Sequence, residues 1–135
     1  MERIFKPRMA LAGFEVVDEA TRENHLTAFV QSFVVREKKA RWIQILNNKP
    51  DKARRDGHNI IGDLDYRWDS MRDLKNLKQK GVYYEFTEKA LWLPTEDALS
   101  IGQQQDAIFS IEPGKLAVFF FHEFRLFEEI VFERG

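Results

Sequence analysis

No cysteine occurs among the 135 residues. That excludes disulfides, thiolate metal ligands and cysteine nucleophiles. Small extracellular domains commonly depend on disulfides, so a chain without them fits a reducing compartment, and the expected location is the cytoplasm. Long apolar runs are missing too. Behind the basic N-terminal residues, the apolar stretch from Met9 to Phe14 is shorter than a signal-peptide core. No window approaches the roughly 18–20 apolar residues that span a bilayer, so no membrane association is expected. Glycine and proline are sparse, at 7 and 4 residues. No phosphate-binding loop of the P-loop or dinucleotide type can be built from them, and no serine sits in a G-x-S-x-G turn. Repeats, low-complexity tracts and linker-like stretches are absent, which predicts a single domain over residues 1–135.

What is present is aromatic mass and balanced charge. Twelve Phe, three Trp and three Tyr supply a core, because each buried aromatic removes roughly 150–250 Å² from water. The net charge of −1 conceals a polarity along the chain. Arg36 to Arg55 holds eight Lys/Arg against two acids, a net of +6, whereas Val82 to the C-terminus holds four against ten, a net of −6. Charge of this kind speaks to partners rather than to fold.

Apolar periodicity divides the chain. Leu26, Phe29, Val30, Phe33 and Val34 recur at the helical period, with Asp18, Thr21 and Asn24 as alternative N-caps. The stripe breaks over Arg36–Lys39 and resumes at Trp42, Ile43, Ile45 and Leu46, predicting a second helix, or a bend in one long helix, that ends near Asn47–Asn48. Pro50 and Gly57 bracket a short third helix, Asp51 to Asp56. Ser70 and Asp73 resemble a capping box ahead of Met71, Leu74 and Leu77, so a further helix is expected before Gly81. Beyond Gly81 the period changes. Val82–Phe86 and Leu91–Pro94 read as strands, and Thr95 caps a short helix closed by Gly102. Ala107–Ile111 and Leu116–Phe121 form a hairpin about Pro113-Gly114; in Leu126–Glu133, Leu126, Phe127, Ile130 and Val131 fit a helical period while Leu126, Ile130 and Phe132 share a strand face, and the short connection after Phe121 favours a third strand of a meander. The expected fold is therefore α+β, with N-terminal amphipathic helices (a helical layer over about 21–81) packed on a small, mainly antiparallel C-terminal sheet (about 82–135).

Two stretches carry a resemblance. Phe33-Val34-Val35 through Glu37–Trp42 to Asp63-Leu64-Asp65-Tyr66-Arg67, together with Ile111-Glu112-Pro113-Gly114-Lys115-Leu116-Ala117, resemble a set of small bacterial proteins that have no assigned function. The resemblance implies a bacterial source and brings no mechanism with it.

Four constellations bear on function. Arg36, Lys38, Lys39, Arg41, Lys49, Lys52, Arg54 and Arg55 could track a phosphate backbone, with Trp42 or Trp68 for stacking. A nucleic-acid binder usually carries excess positive charge across the domain, and here the isoelectric point is about 6.3. A solvated helix face, or docking on the acidic half, competes with that reading. His58, Asp63 and Asp65 unite an imidazole and two carboxylates within eight residues, ligands that suit a small metal-dependent hydrolase. Against this, Asp63 and Asp65 could simply brace their loop, with Asp65 pairing to Arg67 and with Tyr66 and Trp68 plugging the core. His122-Glu123 could be an acid/base pair, but adjacent strand residues point to opposite faces. Phe119, Phe121, Phe124 and Phe127 would form an aromatic interface for a partner or a second copy unless helices cover them. His25 reads as a boundary residue. The leading expectation is a non-catalytic binding or regulatory module acting through protein–protein contacts, with a protein partner or homodimer. No cofactor and no catalytic residue is assigned. Nucleic-acid binding through residues 36–55 and the metal-dependent hydrolase are the alternatives.

Overall fold

Of the three candidate caps, Asp18 is the one used. Its carboxylate accepts the Thr21 backbone N–H at 2.8 Å and opens α1, Glu19–Phe33. The computed structural model describes residues 11–47, 62–86, 89–123 and 126–134. After α1 the chain turns extended at Val34 and makes one 3-10 turn over Arg36–Lys38, then enters α2, Lys39–Asn47. Residues 62–65 return beside the end of α1: Val35 N–H donates to the Asp63 carbonyl at 2.8 Å and Asp65 N–H to the Phe33 carbonyl at 2.7 Å. The expected helix Asp51–Asp56 lies outside the described residues.

The strands are β1 (Asp69–Ser70), β2 (Lys80–Tyr84), β3 (Leu91–Pro94), β4 (Ala107–Glu112), β5 (Leu116–Glu123) and β6 (Leu126–Glu133). They form one sheet in the order β1-β6-β5-β4-β2-β3, and each of these pairings is antiparallel. The architecture is thus α+β, with the expected hairpin and meander. Pro113 and Gly114 make the turn, Lys115 N–H donates to the Glu112 carbonyl at 2.9 Å, and Gly114 takes the φ of 74° for which a residue without Cβ is suited.

Two details differ from expectation. Residues 71–79 contain no helix. The Ser70 hydroxyl accepts the Arg72 N–H at 3.1 Å and the Asp73 carboxylate accepts the Lys75 N–H at 3.0 Å, local bonds that compete with helical ones. Gly81 then lies within β2 rather than ending a helix; a Cβ there would come within 2.7 Å of both the Phe109 ring and the Ser110 carbonyl oxygen. Nor does Thr95 cap the helix α3, Thr95–Ile101. Pro94 holds the cap position, while Thr95 donates through both N–H and Oγ1 to the Gln79 carbonyl.

Alternation along the strands sends side chains to both faces, and both faces are covered. Phe29, Val30 and Phe33 of α1 and Trp42 and Leu46 of α2 pack on Val82, Tyr84, Ile108, Ala117, Phe119 and Phe132. On the other face Tyr83, Leu93, Phe109, Val118, Phe120 and Val131 meet Ala98 of α3, Leu11 of the lead-in and Leu74 of the 71–79 segment. A third helix from the strand-rich half therefore closes the face that the N-terminal helices leave.

Candidate functional site

Asp63 is buried, and its Oδ2 accepts the Trp42 indole N–H at 2.9 Å. That bond ties the returning loop to α2 across the core. Asp65 is half-buried. It accepts the Arg67 backbone N–H and forms a two-oxygen pair with the Arg67 guanidinium, the shortest distance being 2.7 Å. The Arg67 hydrogen bonds hold the Asp65 carboxyl below the usual carboxylate range. Both carboxylates of the expected metal constellation thus have partners within the chain, and His58 lies outside the described residues. Among the described residues, no group of three or more His, Asp or Glu side chains is placed to share a metal ion.

The segment that follows builds an outer edge. Asp65 caps a 3-10 turn at Tyr66–Trp68, and Asp69 and Ser70 then pair with Phe132 and Val131 as the outermost strand. The turn and the residue after β1 leave Tyr66 and Met71 at the surface, while Trp68 packs partly against the core. Tyr66 is 46% exposed with its ring 6.1 Å from that of Phe132, and Met71 is 98% exposed. Trp68 is half-buried, with the Arg134 guanidinium 4.2 Å and that of Arg67 5.9 Å from its ring centroid. Arg72 pairs with Glu133 at 2.6 Å and fastens the segment to β6. Partial burial, reinforced by the charges of Glu128 and Asp69, raises the Tyr66 phenol above its ordinary value, so it remains a hydrogen-bond donor. Tyrosine, tryptophan, methionine and arginine are the types enriched at the centres of protein interfaces. The expectation that Tyr66 and Trp68 plug the core is met in part by Trp68, which packs against it, and not by Tyr66, which is exposed. The signal that could have found this surface was the composition Tyr-Arg-Trp followed by Met in a stretch without periodicity.

The other constellations separate. Arg36, Lys38 and Arg41 are exposed, while Lys39 is half-buried and its Nζ donates to the Gln31 carbonyl at 2.6 Å. Lys49, Lys52, Arg54 and Arg55 lie outside the described residues. Phe119 is fully buried, its ring 6.4 Å from that of Phe29 and nearly parallel to it, so it belongs to the core beneath α1 and not to a surface. Phe121 is half-buried; Phe124 and the Phe127 side chain lie outside the described residues. His122 is exposed at the end of β5, where its backbone N–H donates to Asp106 Oδ1 at 2.7 Å. His25 is a core residue rather than a boundary one. It is 6% exposed, shares a 2.7 Å hydrogen bond with Ser110 Oγ, and sets its ring edge-on to Trp92.

No helix among the described residues is long and apolar enough to cross a membrane. No family model, no curated protein and no solved structure matches the chain.

Proposed function

We propose that the chain is a non-catalytic binding module that engages another protein through the edge formed by Tyr66, Arg67, Trp68 and Met71. The observation that carries this reading is the exposure of Met71 and Tyr66, at 98% and 46%, beside an arginine-flanked tryptophan, in the residues that flank the two-residue strand β1. Surfaces of this composition supply the few side chains that dominate binding energy. The backbone beneath them is held by β1 pairing and by Arg72–Glu133, so little ordering entropy opposes association.

Affinity capture from the source cells with the wild-type chain and with a Tyr66→Ala/Met71→Ser variant of matched thermal stability tests the reading. A protein retained by the first and lost from the second is expected. Identical retention by the two would refute the assigned surface. The same reading expects no salt-sensitive binding to a generic oligonucleotide and no thermal stabilisation by divalent metal ions. Either effect would move the function toward the basic segment or toward His58, Asp63 and Asp65.

A further inference from the structure

The two edges of the sheet are treated differently. At β3, the chain covers its own edge: Val17 N–H donates to the Ala90 carbonyl and Trp92 N–H to the Glu15 carbonyl, each at 2.9 Å. At the opposite side β6 pairs along its whole length with β5, but outward, among the described residues, only Val131 and Phe132 are paired, by the two-residue strand β1. Among the described residues, no strand pairs with the outer side of Leu126–Ile130, the stretch of β6 that runs on past the end of β1.

The middle of this stretch, unpaired outward among the described residues, is acidic on both faces. Glu128 and Glu129 are exposed and consecutive, so their side chains leave the strand on opposite sides. The charge of Glu128 reaches Tyr66 on the helix side. On the other side, partial burial and the Asp73 charge hold Glu129 above the usual carboxylate range, with Lys75 opposing. Antiparallel pairing of this edge with a second copy about a two-fold axis would set glutamates against glutamates, and like charges across a strand pair repel. Acidic side chains thus protect the edge from its own copies while matching a cationic strand.

We infer that the β6 edge takes up an extended, lysine- or arginine-bearing segment of a partner protein as an added strand in line with β1. Main-chain bonds along Leu126–Ile130 supply the affinity and alternate cationic side chains meet Glu128 on one face and Glu129 on the other. The inference rests on the protein-binding reading above and names the chemical class of its partner.

The test uses the full chain and a short fluorescent peptide alternating lysine and valine, a counterpart with glutamate for lysine, and a version N-methylated at alternate residues. The lysine peptide is expected to bind in a salt-sensitive manner, to weaken about tenfold or more against Glu128→Lys/Glu129→Lys, and to slow amide exchange at Phe127 and Glu129. Both counterpart peptides should fail to bind. Glu128→Gln/Glu129→Gln, which removes charge without reversing it, should give an intermediate loss and guards against misfolding of the first variant. Equal binding of the N-methylated peptide, or indifference to both pairs of substitutions, would overturn the inference. If the Tyr66→Ala/Met71→Ser variant loses a cellular partner while no peptide binds, the edge inference falls and the surface reading stands. If the peptide binds and capture is unchanged, the reverse holds.

Discussion

His25 joins α1 to the sheet through a single hydrogen bond to Ser110, and burial pushes its pKa below the ordinary value of 6.5. In the window between its folded and unfolded values the unfolded chain binds more protons, so stability falls as pH falls. The decline from this residue should begin as pH drops through about 6.5 and level off once the folded value is passed. Urea melts at several pH values should show this slope in the wild type and its loss in His25→Gln; a slope unchanged by the substitution would refute the assignment. Trp42 and Asp63 form the other residue-scale link. Trp42→Phe leaves a buried carboxylate without its donor and is expected to cost about 1–3 kcal/mol in denaturant unfolding. Trp42→Phe/Asp63→Leu should recover part of that cost, since an apolar replacement of both partners leaves no buried acceptor unmet.

At the scale of elements, the hairpin turn and the segment before β2 show how local chemistry and close packing divide the work. Gly114 needs its positive φ, and a Cβ there would also come within 2.9 Å of Ser32 Oγ on α1. Gly114→Ala should therefore lower stability by about 1–2 kcal/mol. Gly81→Ala should cost more, because the obstructing atoms are a ring and a strand carbonyl rather than a mobile hydroxyl. Midpoints of urea unfolding would rank the two, and the opposite order would show that the turn, not the β2–β4 contact, is the stricter site. The hairpin was legible in Pro113-Gly114 because its conformational demand is local. The helix expected over residues 71–79 was not formed, because the same apolar spacing, Leu74 and Leu77, serves an irregular segment lying on the sheet while Met71 points to solvent.

Across the whole molecule, the sheet is a shared floor for two apolar clusters. Phe119 and Phe120 are adjacent and both fully buried, one facing α1 and the other facing α3 and its flanking segments. Each truncated to alanine should cost about 3–5 kcal/mol. Calorimetry should show one transition in both variants, since either cluster loses its floor when the other opens; separate transitions would show that the two faces melt independently. The aromatic run of β5 left two readings, coverage by helices or an exposed interface; Phe119 is covered by α1, and the exposed aromatic and methionine side chains among the described residues are Tyr66 and Met71.

The sequence by itself determined the elements whose causes are local. The 3.6-residue apolar period made α1 and α2, β-branched and aromatic runs made the strands, and Pro-Gly made the turn of the central hairpin. It also determined the alternation that gives β5 two apolar faces. Tertiary structure decided which faces would be covered and by what, that β2 lies between β3 and β4, and that Asp69–Ser70 would end the sheet. These outcomes depend on contacts between residues far apart in the chain. Their stabilisation comes from burying complementary surfaces, a quantity that no single segment carries in its own pattern.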